Sequence, residues 1–234
     1  AEVRLRGLLL KPDPVLAGAT ASVAADWRSV PLSFSGASLA TLALAAVRAF
    51  GRTGGDIAFA AGKDPAPGYV LPWVPVRLEA NGTTTAAEAR TAKAIEGARA
   101  ATGIAADLAI REPGMVALVP PGLALTDGQT PVSGTAVTIN SGALWHDARQ
   151  IPADEAATLA ARIARIAAAI MAAPDQDLGS LSLLSKAEEQ VYAGALAVTA
   201  RDYDRAITLP AAILAQAQRS PDATAVIAGS TRIS

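Results

Sequence analysis

From Pro152 the chain carries Leu159, Ile163, Ile166 and Ile170 at spacings of four, three and four, with Glu155, Arg162 and Arg165 set away from that stripe. This is the period of an α-helix with one apolar face. Such a helix has to bury that face against a second layer. Arg162 and Arg165 then read as its solvated side.

Strand-like segments can supply the second layer. Asp56 to Ala61 reads as a strand, and Tyr69 to Ala80 as an extended segment with Val74, Val76 and Leu78 on one face and Arg77 and Glu79 on the other. Pro72 and Pro75 cannot donate ladder hydrogen bonds, so this segment is expected at a sheet edge or interrupted. Val3, Leu5 and Leu8 to Leu10 predict an opening strand that ends at Pro12. Met115 to Val119, Thr135 to Ile139 and Leu144 to Gln150 are further strands, joined by loops at Pro120-Pro121-Gly122 and Asp127-Gly128. Val30 to Phe34 reads as a short extended connection, and Thr224 to Ala228 as a terminal strand.

Helices are expected between them. Asp13 caps one with Pro14 at its first position, running to about Trp27. Ser38 caps another to Phe50 that is apolar on nearly all sides, hence buried. Thr85-x-x-Glu88 is a capping box for a helix from about Ala86 to Ala101, closed by Gly103, and a shorter helix follows from Ile104 to Ile110. Ser185-x-x-Glu188 opens a short helix, and Thr208 caps one through Arg219 with Ile213, Leu214 and Ala217 inward. The sum is an α/β fold (an α+β sandwich), a mixed sheet with flanking helices.

Several function classes are disfavoured. Twenty basic against 21 acidic residues give a net charge of -1, with no basic footprint for nucleic acid. The absence of cysteine removes disulfides, thiolate metal sites and cysteine nucleophiles, and a cytoplasmic setting is the simplest expectation. No apolar run reaches membrane-spanning length, so a soluble chain without a membrane partner is expected. Aromatics are only 4% of residues, which leaves the core to Ala, Leu, Val and Ile.

Chemistry-bearing patterns are few. His146 is the single histidine, beside Asp147 and near Ser141. Adjacent strand residues point to opposite faces, so His146 and Asp147 do not share a site, and His146 is expected on an exposed strand face. One histidine and scattered carboxylates do not assemble a metal site. Gly51-Arg-Thr-Gly-Gly55 is a turn without the Gly-Lys-Ser/Thr of a phosphate loop, and Asn81-Gly-Thr83 reads as a turn although it fits a glycosylation sequon. Trp27, Trp73 and Trp145 are too scattered for a stacking platform. No catalytic, cofactor-binding or metal-ligating residue is assigned.

Three stretches near the end run in a characteristic order: Leu181-Ser-Leu-Leu-Ser-Lys-Ala-Glu-Glu-Gln190, Arg201-Asp-Tyr-Asp204, and Leu209 to Ala228. They resemble the junction where a condensation domain of a non-ribosomal peptide synthetase hands over to an adenylation domain. Ala37 to Phe59, Leu71-Pro-Trp-Val-Pro-Val-Arg-Leu78 with the following helix, and the helix from Pro152 through Ser185 are similar in order and spacing to the C-terminal lobe of that family. The resemblance implies a truncated condensation-like C-terminal lobe over 1–180, a linker over 181–209 and the start of an adenylation domain over 210–234. The family's folds are chloramphenicol acetyltransferase-like, with a His-His-x-x-x-Asp-Gly motif in the N-terminal lobe. No His-His pair exists in this chain, so no catalytic residue carries over.

What the resemblance implies is a non-catalytic platform packing against an adenylation domain. Two alternatives stay open. One is part of an active amide-forming enzyme whose histidine lobe lies elsewhere; the other is a docking module for a peptidyl carrier protein, with Arg90, Lys93 and Arg99 spread along one helix. No cofactor is expected in the chain itself, the phosphopantetheine being carried by a partner carrier domain.

Overall fold

A computed structural model describes residues 7–18, 25–32, 36–62, 66, 68–101, 104–112, 119–194 and 207–234. The chain divides into two compact units, Ala1–Ser185 and Lys186–Ser234.

The first unit is built on a six-stranded mixed sheet. Its strands are β1 (Trp27–Pro31), β2 (Gly54–Ala60), β3 (Val74–Glu79), β4 (Leu123–Thr126), β5 (Val137–Ile139) and β6 (Ala143–Asp147), in the spatial order β1-β6-β5-β4-β2-β3. β4 is parallel to both β2 and β5, and the other pairings are antiparallel. Helices α1 (Leu39–Ala49), α2 (Thr84–Arg99) and α4 (Ala153–Ala172) are joined to the sheet by one apolar core, and α3 (Leu108–Arg111) is a single short turn.

Alternation along each strand decides which residues meet the helices. Ile57, Phe59, Val74, Val76, Leu78, Leu123, Leu125, Val137, Ile139 and Leu144 form the main core with α1 and with Ile163, Ile166 and Ile170 of α4. On the opposite face Ala58, Ala60 and Ala124 lie in a smaller cluster with Trp73 and Val132. The predicted α/β class, mixed sheet and flanking helices are what the structure has.

Local signals placed the long helices well. Ser38 caps α1, accepting from the Thr41 backbone N–H, and Phe50 ends it. α4 starts directly after Pro152 and buries the predicted isoleucines. α2 begins earlier than the Thr85 box predicts: Thr83 is the N-cap, accepting from Ala86, while Glu88 reaches across to Ser38 and Thr41 on α1. Its C-cap is Ala100, and Gly103 lies outside the described residues.

β3 is the edge strand that its prolines predict. Backbone pairing of Ala80 with Thr53 fixes the phase, so Pro75, Arg77 and Glu79 turn their peptide groups outward. Pro75 offers no N–H there and the Glu79 carbonyl lies 3.5 Å from Arg90 Nη2, which blunts the edge against stray strand addition.

Three other expectations are corrected. The helix from Asp13 to Trp27 is absent among the described residues. Pro14 instead bridges Asp56 in parallel, the Asp56 N–H donates to the Asp13 carbonyl at 2.6 Å, and Trp27 begins β1. Long-range pairing with β2 outweighs the local capping signal. Leu8 to Leu10 are helical rather than extended, and residues 1–6 lie outside the described set. Leu123–Thr126 is a central strand where none was expected, whereas residues 115–118 of the strand expected before it lie outside the described residues.

Gly55 lies where this bridge comes closest. Its φ is +141°, and a Cβ there would sit 2.9 Å from the Asp13 carbonyl oxygen and 2.9 Å from Val15 Cγ2. Gly55→Ala is therefore expected to cost about 2 kcal/mol and lower the melting temperature by about 5 °C, read by circular dichroism. An unchanged melt would mean that the 13–15 segment yields freely.

In the second unit α5 (Lys186–Ala193) and α6 (Leu209–Arg219) precede a hairpin of β7 (Val226–Ala228) and β8 (Thr231–Ile233). Thr208 caps α6 as predicted. Ile213 and Leu214, expected inward, are 60% and 64% exposed, because no described element of this small unit covers them. The linker residues Asp202 to Arg205 lie outside the described residues.

Candidate functional site

Three of the buried ionisable groups described in the first unit, His146, Asp147 and Asp56, sit on strands near the two ends of the sheet, and each has a partner. His146 alternates with Leu144 on the helix-facing side of β6 and is only 1% exposed, not on an open strand face as expected. Its Nδ1 lies 2.8 Å from the Ile151 carbonyl oxygen, just ahead of α4. The ring thus ties the strand to the helix it feeds. As predicted, Asp147 points the other way.

Asp147 is equally buried, yet ionised. Its Oδ1 accepts from the backbone N–H groups of Asp26 at 3.1 Å and Arg149 at 3.2 Å and from Arg149 Nε at 3.0 Å. Its Oδ2 accepts from Arg149 Nη2 at 2.8 Å and Gln150 Nε2 at 3.0 Å. The Arg149 guanidinium, joined by Gln150 and the two backbone N–H groups, holds this carboxyl well below the usual carboxylate range although burial opposes it. The group fastens the start of β1 to the turn after β6.

Asp56 does the same work at the other end. Its oxygens accept from Arg77 Nε and Nη2, both at 2.7 Å, and from the Asp13 N–H at 2.7 Å. Both carboxylate oxygens are thus committed to the guanidinium and the backbone rather than left open to a substrate. Ser141 stands in the turn between β5 and β6, where Asn140 Oδ1 accepts from the Gly142 and Ala143 N–H groups at 2.8 Å each. No bond joins Ser141 to His146, so no nucleophile–base pair forms among them.

Of the three cations spread along α2, Arg90 and Arg99 have separate partners. Arg99 grips Asp127 at 2.7 and 2.8 Å and lies 5.7 Å from the centre of the Phe59 ring. Arg90 donates to the Asn81 carbonyl at 2.6 Å and to its side chain at 3.0 Å. Lys93 is exposed. Arg165, read as solvated, donates from both terminal nitrogens to the Ser182 and Leu183 carbonyls at 3.0 and 2.6 Å, and so anchors the segment after α4. Trp73 is a core residue, while Trp27 and Trp145 are half-buried on β1 and β6.

Among the described residues no group of three or more histidines and carboxylates could hold a metal ion, and no helix is long and apolar enough to cross a membrane. Two open cavities lie beside the outer end of β3. One, of about 400 Å³, has Leu78, Arg90, Thr91 and Lys93 in its wall, and another, of about 350 Å³, is bounded by the Gly51–Gly55 turn and Arg52.

The chain matches no family model and no curated protein. Solved structures do share its fold. The X-domain from teicoplanin biosynthesis superimposes with a TM-score of 0.55 at 17% identity, covering 78% of this chain and 56% of that one. The same kind of domain in its complex with OxyB gives 0.53 at 18% identity, over 79% and 55%. The first condensation domain of the calcium-dependent antibiotic synthetase gives 0.51 at 20% identity, over 77% and 54%. The fold is condensation-domain-like, and the chain spans about half the length of the structures it matches.

Proposed function

We propose that this chain is a non-catalytic, condensation-like interface domain of a cytoplasmic non-ribosomal peptide synthetase. In this reading 1–180 form the lobe, 181–209 a linker and 210–234 the opening of an adenylation domain, which the lobe packs against and orients. The observation that carries the reading is the use made of His146: buried against the turn before α4, with Nδ1 on the Ile151 carbonyl, it is poorly placed to position an acceptor amine. The likeness to an X-domain described in complex with OxyB supports a role in holding another protein. Phosphopantetheine would enter only on a partner carrier domain.

The test is a comparison of melting temperatures with and without the adenylation domain attached. Docking worth about 1–2 kcal/mol should raise the lobe's melting temperature by about 5 °C. Amide formation from carrier-bound substrates by this chain alone, lost in His146→Ala, would overturn the reading, as would equal melting with no association.

One observation favours a second reading. The chain spans about half of the condensation domains it resembles, which fits one lobe of an active enzyme completed by residues elsewhere. A polypeptide bearing His-His-x-x-x-Asp-Gly that binds this chain and restores amide formation would decide for it.

A further inference from the structure

The cavity of about 400 Å³ beside β3 has a composition that the interface role does not use. Leu8, Leu78 and Ala94 supply apolar wall, while Arg77, Arg90, Lys93 and Glu79 supply charge. Thr91 also lines it. That residue is 2% exposed, and its Oγ1 has no hydrogen-bond partner. A buried hydroxyl left unsatisfied costs stability, and native chains keep few of them.

The charges around the groove are unequal in their commitments. Arg77 is held by Asp56 and by the Lys11 carbonyl at 2.8 Å. Arg90 is held by Asn81, with Glu79 Oε2 4.0 Å from its Nε. Lys93 has no hydrogen-bond or ion-pair partner among the described residues, so it is the cation left to meet an incoming charge. One uncommitted cation, one hydroxyl and an apolar wall define a ligand with a single negative head and a hydrocarbon body. The volume is within the range that holds a small organic molecule.

We propose that this groove binds an aliphatic monocarboxylate, its head group on Lys93 and the Thr91 hydroxyl and its chain along Leu8, Leu78 and Ala94. The site is separate from the interface role above and stands or falls without it. Isothermal titration of the full chain with octanoate, 1-octanol and inorganic phosphate tests it.

Octanoate should saturate, with 1-octanol about tenfold weaker and phosphate silent. Lys93→Gln should weaken octanoate about tenfold and leave the melting temperature unchanged. Thr91→Val should weaken it about threefold while keeping or raising the melting temperature, since valine removes an unsatisfied hydroxyl without changing the shape. No saturation with octanoate, unchanged affinity in Lys93→Gln, or tighter binding of phosphate than of octanoate would each overturn the proposal. Because Lys93 is exposed, its variant folds even if the Thr91 variant does not.

Discussion

Phe59→Ala should cost the first unit about 4 kcal/mol and lower its melting temperature by about 12 °C. The ring stands on β2 facing the helices, 1% exposed, in a core otherwise made of small and branched aliphatic residues. Only 4% of the chain is aromatic, and Phe50, which also packs against this core, is itself only partly buried. Truncation opens a cavity bounded by a sheet on one side and helices on the other, neither of which collapses easily. It also strips Arg99 of the π-face below its guanidinium. Phe59→Leu keeps most of the volume and should cost about 1 kcal/mol. Urea midpoints of the two variants measure the difference; a loss below that of the leucine variant would show that the site is loosely packed.

Asp147→Asn should cost about 3 kcal/mol at neutral pH, and its effect should depend on pH. The amide cannot accept all five hydrogen bonds that the carboxylate takes from Asp26, Arg149 and Gln150, and it turns an N–H₂ toward other donors. In the folded chain the carboxyl titrates below its unfolded value, mainly because of Arg149. Its contribution is therefore complete above the unfolded pKa of about 4, and declines as pH falls below that toward the folded value. The gap between native chain and variant should be full at about pH 6 and distinctly narrower at about pH 2.5. Denaturant midpoints at both pH values would show it, and a gap of constant width would refute the assignment.

Local chemistry made the helices legible. Ser38 and Thr208 are the caps predicted for them, and Ile163, Ile166 and Ile170 mark the buried side of α4. These signals lie within one or two turns of the residues they organise. The sheet is different. Leu123–Thr126 is only four residues long and buried on both faces, so it shows no alternation, and its partners are parallel strands that the local sequence does not announce. Asp13 and Pro14 carry helix-start chemistry but are claimed by Asp56, 43 residues on. His146 departs from its expected exposed face for a similar reason. Its alternation with Leu144 is visible in the sequence, but which face of β6 the helices cover is set by tertiary packing. That Arg90 and Arg99 serve separate partners was likewise invisible, because Asp127 and Phe59 reach Arg99 only through the fold.

The register of β1 has a consequence for how this unit comes into being. Among the described residues β1 pairs only with β6, and the carboxylate that locks the two together bridges Asp26 and Asp147 across 121 positions. On a ribosome the first of these strands must therefore wait, its edge bare, until almost the whole lobe has been synthesised. Rates fall as such distant pairings dominate, so this chain should mature slowly and aggregate most readily during that delay.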